Sequence, residues 1–142
     1  MIIKEIELND WKKFASLKLE FKDGINLIHG KNELGKSTII EALNYALTKE
    51  PDSSGNEINK LIPWGTNLKP KVKIKLINRE NNSYIVEKKF PKGEGKIEFI
   101  TKDNKLIKII EDKKIQTKLL EILGINENTI NLFNLLWINQ GT

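Results

Sequence analysis

The chain has 142 residues, no cysteine and one histidine, and its 24 basic residues outnumber its 19 acidic ones, which gives a net charge of +5. This length fits one domain or one lobe of a larger domain, and the absence of cysteine excludes disulfide scaffolds and cysteine-based metal sites. No apolar run is long enough to cross a membrane, and the first residues lack the layout of a signal peptide. We therefore expect a cytoplasmic protein with no membrane partner.

The first thirty residues alternate between apolar and polar side chains, which is typical of strands. The alternation predicts a strand over 2–8, a turn over 9–13 and a second strand over 14–21. A short and mostly apolar stretch over 25–28 predicts a third strand near the centre of a sheet.

The hydrophobic period changes from strand to helix after residue 37. Ile39, Ile40, Leu43 and Leu47 recur at helical spacing, which predicts a helix that ends before Pro51. Residues 49–70 are rich in proline and glycine and predict a long loop. Such loops inside compact domains are usually functional or mobile.

The second half of the chain predicts hairpins followed by helices. Strands are expected over 71–76 and 84–90, and again on either side of a turn at 102–104. Asp112 is expected to cap a helix that runs to Leu123 and stops at Gly124, and a second helix is expected over 126–136. The predicted fold is α/β, a P-loop lobe with a mixed sheet, an antiparallel β region and two C-terminal helices.

The strongest motif is a phosphate-binding loop between the third predicted strand and the first helix. Gly30-Lys31-Asn32-Glu33-Leu34-Gly35-Lys36-Ser37 matches GxxxxGK[ST] in full. The glycines let successive backbone N–H groups point at phosphate oxygens, and the helix N-terminus adds its positive dipole end. Lys36 would reach the β- and γ-phosphates, and the Ser37 hydroxyl would bind Mg²⁺. The motif predicts a nucleoside triphosphate site.

Hydrolysis also needs a carboxylate at the end of a second buried strand. Glu111 and Asp112 end an apolar run, but Lys108 interrupts that run and a hairpin precedes it, so we interpret the two acids as the end of a strand and a helix cap. The second half of a catalytic site is missing from this interpretation.

At this point the chain resembles the split ATPase heads of the SMC-like superfamily, above all the SbcC and Rad-fifty type of DNA double-strand-break repair ATPases. Four segments carry the resemblance: the first strand with its aromatic-basic turn, the lead-in to the P-loop, the segment after the first helix, and a Q-loop. They lie at 1–14, 21–28, 61–65 and 137–141. A P-loop followed by Gln140-Gly141 about a hundred residues later is fairly specific to this group.

The resemblance implies that residues 1–142 form the N-terminal lobe of a split ABC-type head that ends at the Q-loop, without the coiled coil and the C-terminal lobe of the full-length protein. ATP and Mg²⁺ would be its cofactors, and two heads would dimerise around ATP. The implied partners are the C-terminal lobe, a second head, double-stranded DNA bound without sequence preference, and a nuclease subunit. ATP hydrolysis would require the missing lobe.

The resemblance also assigns site residues by position. Lys36 and Gln140 would serve catalysis, and Ser37 and Gln140 would lie at Mg²⁺. The nucleotide would be contacted by Lys12, Gly30, Asn32, Glu33, Leu34, Gly35, Lys36, Ser37, Thr38, Ile62, Pro63 and Trp64. Trp64 stands where the family more often has a basic residue, and Glu33 and Leu34 stand where many members have glycine and serine.

Two other functions remain open from the sequence. One is a complete small P-loop kinase or NTPase, which would need a base or a metal carboxylate within these residues. The other is a DNA-binding module that binds ATP without hydrolysing it. Lys69, Lys71, Lys73 and Lys75 alternate along one predicted strand and could follow a phosphate backbone, although the solvated face of a half-buried strand is the more frequent meaning of such a row.

Overall fold

The computed structural model describes residues 2–21 and 33–124, and the side chains of 33–36 lie outside this description. Six strands and three helices occupy the described residues. They are β1 (Ile2–Trp11), β2 (Phe14–Glu20), α1 (Glu33–Thr48), α2 (Asn56–Asn59), β3 (Lys71–Ile77), β4 (Ser83–Lys89), β5 (Gly95–Ile100), β6 (Leu106–Asp112) and α3 (Gln116–Leu123).

The strands form one sheet in the order β2-β1-β3-β4-β5-β6, and every described neighbour pair is antiparallel. The α/β class and the antiparallel region are therefore confirmed. The strand predicted over 25–28 and the helix predicted over 126–136 lie outside the described residues. The mixed sheet and the second C-terminal helix thus stay predictions.

One face of the sheet carries the hydrophobic core. Alternate residues of β3 are buried, and α1 contacts β3, β4 and α3 on that side. Trp11, Tyr45 and Phe90 meet there edge to face, with ring centroids 5.7–6.2 Å apart. This aromatic contact joins the end of β1, the last turn of α1 and the residue after β4 into one core.

The opposite face of the sheet carries a row of alternating charges. Paired residues in the register are Lys18 with Glu7, Glu7 with Lys73, Lys73 with Glu87, Glu87 with Lys96, and Lys96 with Glu111. One charged residue from each of the six strands therefore takes part, and the sign changes at every step. Opposite charges on directly paired residues favour sheet formation.

The segment predicted as a loop over 49–70 is partly structured. It contains the single-turn helix α2, and Pro51, Ile58 and Leu61 are buried. The prolines and glycines mark turns correctly, but three apolar side chains fix the segment against the core.

The expected helix cap at Asp112 is wrong. Asp112 is the last residue of β6, where it pairs with Gly95, and its Oδ1 accepts a hydrogen bond of 3.0 Å from the N–H of Lys114. The helix α3 begins only at Gln116. The predicted stop at Gly124 is confirmed, because this residue takes a left-handed conformation with φ 67°.

Gly95 allows a close approach at the start of β5. A Cβ atom there would overlap the Ile115 side chain and lie 3.0 Å from Cγ of Pro51. The turn before α3 therefore packs directly on the β5 backbone. Among the described residues no helix is long and apolar enough to span a membrane.

Candidate nucleotide site

The helix α1 begins inside the phosphate-loop motif. Glu33 to Lys36 form its first turn, with Gly35 in the helix, while Gly30 to Asn32 lie outside the described residues. The first N–H groups of a helix have no partner within the helix, and the N-terminus carries a partial positive charge. The described backbone thus provides the anion-binding helix end that the motif predicts.

Ser37 and Thr38 follow on the next positions of α1 and face different surroundings. Ser37 is exposed and lines an open groove of about 480 Å³, whereas Thr38 is buried. The groove runs along α1 past Glu41 to Lys49 and reaches Glu57 of α2. An exposed hydroxyl just after the first turn of α1 is suited to Mg²⁺ that also binds phosphate oxygens.

The structure brings Lys12 next to α1. Lys12 lies in the tight turn between β1 and β2, with φ 53°, and its N–H donates to the carbonyl oxygen of Leu61 over 2.8 Å. Its Nζ lies 3.0 and 3.1 Å from the two carboxylate oxygens of Glu41, one helical turn after Ser37. Lys12 therefore joins the β1–β2 turn, the helix α1 and the loop after α2 at one place.

Ile62, Pro63 and Trp64 continue from that anchor. Pro63 contributes its carbonyl oxygen to a turn closed by Thr66, with hydrogen bonds of 3.1 Å from the N–H and 2.8 Å from the hydroxyl. Trp64 is 100% exposed. An ordered turn thus presents a completely exposed indole to solvent.

The groove along α1 is lined by charged residues of both signs, with Lys49 as the basic one. Glu41 and Glu57 line it, and burial together with these two carboxylates raises the pKa of Tyr45. In the described part of the chain no group of three or more histidine, cysteine, aspartate or glutamate residues could hold a metal ion. Gln140 lies outside the described residues, as do the side chains of Glu33, Leu34 and Lys36.

The predicted lysine row follows β3 only in part. Lys71, Lys73 and Lys75 are half-buried on the outer face, while Lys69 precedes the strand. Glu87 of β4 lies between β3 and β5. Its carboxylate oxygens are 3.4 Å from Nζ of Lys71 and 3.8 Å from Nζ of Lys96. Because glutamates neutralise the row, the structure favours the solvated strand face over a row that follows a phosphate backbone.

A cavity of about 460 Å³ collects basic residues, of which the sequence analysis singles out Lys69 alone. It lies between the β4–β5 turn and the ends of the neighbouring strands. Its charged lining residues are Lys69, Lys89, Lys92, Lys96, Lys113, Glu87, Glu94 and Glu111. Five lysines against three glutamates leave a positive excess. Lys89, Lys92 and Lys96 are close in sequence, but Lys69 and Lys113 join them only through the fold.

Sequence comparisons relate the chain to a family of known proteins. A family model described as AAA domain matches residues 5–139, and the chain belongs to this family. Its relatives include the DNA double-strand break repair Rad50 ATPases of Methanocaldococcus jannaschii, 30% identical over 144 residues, and of Methanococcus maripaludis, 28% identical over 142 residues. The predicted relation to SMC-like ATPases of the SbcC and Rad50 type is thereby confirmed.

The extent of these matches differs between relatives. Both Rad50 matches cover 99% of this chain but only 13% and 14% of the relatives, so the chain spans about one eighth of their length. The DNA replication and repair protein RecF of Thermoanaerobacter sp. is 31% identical over 98 residues, which is 68% of this chain and 26% of that protein.

Proposed function

We propose that the chain is the ATP-binding N-terminal lobe of a split SMC-like head in a DNA-repair ATPase. The observation that carries the proposal is α1, which begins inside the phosphate-loop motif and has Lys12 and the 61–64 segment held beside it through Glu41 and Leu61. Three separate parts of the sequence thus meet beside one helix.

Each part has a role in the proposed site. The backbone N–H groups at the start of α1 and the Lys36 ammonium neutralise phosphate charge, while the Ser37 hydroxyl holds Mg²⁺. Gly30, Asn32, Glu33, Leu34, Gly35 and Thr38 complete the loop around the phosphates. Lys12 and residues 62–64 border the nucleotide, and Gln140 orients water near the metal. ATP, when bound, supplies the charge around which two heads assemble and the bond whose cleavage separates them.

The proposed site is completed by residues outside this chain. Glu111 points into the cavity on the outer face of the sheet, away from α1, and Asp112 accepts a hydrogen bond within its own turn. Neither of these two carboxylates lies in the groove that begins at Ser37. This placement removes the two carboxylates at the end of β6 as candidates for a kinase site and supports a C-terminal lobe as the source of the catalytic carboxylate. The carboxylates that do line the groove are Glu57 and Glu41, and Glu41 is paired with Lys12.

The proposal is tested with Mg·ATP on this chain and on Lys36→Ala. At ATP a hundredfold above the dissociation constant, binding should stabilise the wild-type chain by about 2.7 kcal/mol, and Lys36→Ala should lose most of this stabilisation. Turnover should be absent until a C-terminal lobe is added. Lys36-dependent turnover by the chain without that lobe would overturn the half-head proposal, and ATP stabilisation equal in both proteins would overturn the nucleotide site.

Double-stranded DNA is the second part of the proposal, and the basic cavity supports it. Because phosphate contacts release counterions, binding should be independent of sequence and weaken with salt. The variant Lys92→Ala/Lys113→Ala should lower the slope of log affinity against log salt by about two, since each lost contact removes roughly 0.9. Removing two charges at the exposed β5–β6 turn with Lys102→Ala/Lys105→Ala should leave the slope unchanged. Equal slopes for both variants would refute a role for the cavity.

A nuclease subunit as a further partner and a cytoplasmic location complete the proposal. The first rests on the relation to DNA double-strand break repair ATPases. Co-purification of a nuclease with the full-length ATPase, and its loss on deletion of the head, would test the partnership.

A further inference from the structure

A lysine inside the hydrophobic core has no role in the proposed nucleotide chemistry. Lys88 lies on β4 between Val86 and Phe90 on the face that packs against α1, and its side chain is 0% exposed. Lysine is almost never fully buried unless its ammonium is paired or hydrogen-bonded. The partners of Lys88 therefore indicate what this residue does.

The Lys88 ammonium lies at the C-terminal end of α1. Its Nζ donates to the carbonyl oxygen of Lys49 over 2.6 Å, to that of Tyr45 over 3.4 Å, and to Oε1 of Gln116. The last carbonyl groups of a helix have no partner within the helix, and a positive charge at this end is favourable. Lys88 thus caps the helix that carries the phosphate loop at its other end.

Gln116 extends this contact to α3. Its Nε2 donates to the carbonyl oxygen of Leu47 over 2.6 Å, and its backbone N–H donates to Oε1 of Glu50 over 2.7 Å. The Glu50 carboxylate therefore lies at the N-terminus of α3, where negative charge is favourable. We call Lys88 and Gln116, with these contacts, the α1–α3 clamp.

Stability is not a sufficient reason for the clamp. Buried charged contacts often contribute no more to stability than apolar residues of the same volume, because desolvation offsets the attraction. Burial accordingly lowers the pKa of Lys88 to about 7, against a smaller opposite effect of Glu50. The polar contacts instead determine geometry, because they form in only one relative placement of α1, β4 and α3.

We propose that Lys88 and Gln116 are positioning residues of the nucleotide site: they fix the far end of α1 to β4 and α3, so that triphosphate binding at the near end of α1 and docking of α3 favour each other. The inference rests on the proposed function. It adds a path from the phosphates, along one rigid helix of 16 residues, to the last described element before Gln140.

The coupling follows from the stiffness of α1. A helix of this length spans about 24 Å and moves largely as one body, so a clamp at its C-terminal end limits how its N-terminal end tilts. Coupling between two sites is reciprocal, so that ATP should tighten the docking of α3 by the same factor by which a docked α3 tightens ATP binding.

The test compares Lys88→Met with Val86→Ala, which alters a buried side chain on the same face of β4. ATP affinity and the hydrogen exchange of amides in 117–123 are measured for the whole chain with and without ATP. In the wild type and in Val86→Ala, ATP should slow this exchange at least threefold. In Lys88→Met the slowing should disappear and the dissociation constant for ATP should rise about tenfold, while it changes less than twofold in Val86→Ala.

Gln116→Ala serves if Lys88→Met does not fold, because Lys88 then keeps its two helix carbonyls. This variant should also lose the effect of ATP on exchange in α3. Wild-type ATP affinity and an unchanged exchange response in either folded clamp variant would overturn the inference and leave the proposed function intact. Absence of Lys36-dependent ATP binding by the wild-type chain would overturn both.

Discussion

Because of Lys88, the free energy of unfolding should increase with pH in the alkaline range. Its pKa is about 7 in the folded protein because of burial, against 10.5 for a lysine in water. The unfolded chain therefore binds the proton more tightly than the folded one. Between these two values, unfolding takes up a proton, so stability should increase as the pH rises.

The magnitude follows from the interval between the two pKa values. One proton taken up on unfolding gives a slope of about 1.4 kcal/mol per pH unit. Over the whole interval the destabilisation by the buried charge would be relieved by about 5 kcal/mol, and the rise from pH 7 to pH 9 should be roughly 2 to 3 kcal/mol. Below pH 7 the lysine is charged in both states and adds no further slope. Lys88→Met should abolish the rise, since methionine has a similar length and no charge.

Urea denaturation of both proteins, followed by tryptophan fluorescence at intervals from pH 7 to pH 9.5, measures this difference. Groups common to the two proteins cancel in the comparison. Lys96 and Lys114, whose pKa values are raised by their carboxylate partners, stabilise the fold below pH 10.5 and lose this effect only above the range. Parallel stability curves for wild type and Lys88→Met would refute the reasoning and mean that water or rearrangement solvates the ammonium.

Three further predictions follow from burial and contacts. Ile74→Ala removes a side chain that is 0% exposed and should lower the free energy of unfolding by about 3 kcal/mol, whereas Ile109→Ala on the exposed edge strand should change it by less than about 0.5 kcal/mol, both measured in urea. Gly95→Ala should cost about 2 kcal/mol because its Cβ overlaps Ile115, and a neutral result would mean that the turn before α3 can move. Lys12→Ala should lower the free energy of unfolding by less than about 1 kcal/mol, because both side chains of its salt bridge are one-third exposed. The same variant should weaken ATP binding severalfold in calorimetric titration, and unchanged affinity would place Lys12 outside the site.

Local periodicity predicts most of the described fold, because the sheet is built mainly from hairpins of neighbouring strands. The alternation over 71–76, the strand predicted over 84–90 and the turn predicted at 102–104 locate β3, β4 and the hairpin of β5 and β6. The prediction at Asp112 fails because an aspartate shortly before a helix is typical of a cap, whereas Asp112 still belongs to β6 and pairs with Gly95 of β5. The pairing across the sheet decides, and it depends on residues distant in sequence.

The candidate site divides in the same way. The phosphate loop is contiguous, so its motif predicts the start of α1. Only the alternation of inward and outward residues could have indicated the clamp. Lys88 of β4 takes an inward position, between the buried Val86 and the buried Phe90 that follows the strand. Its partners, however, lie about 30 to 40 residues away, and Gln116 has no local feature that would indicate burial. Tertiary contacts of this kind follow from packing and not from any spacing in the chain.

The row of alternating charges on the outer face also specifies the register of the strands. If β5 slipped by two residues along β4, Glu87 would face Glu94 or Glu98 in place of Lys96, and an equal slip of β6 along β5 would bring Lys113 or Ile109 opposite Lys96. A slip of two keeps the apolar side chains on the core face, so hydrophobic burial barely distinguishes the registers. Charge pairing distinguishes the registers. Because salt screens these charges, hairpins of this sheet should make more register errors when they fold in concentrated salt.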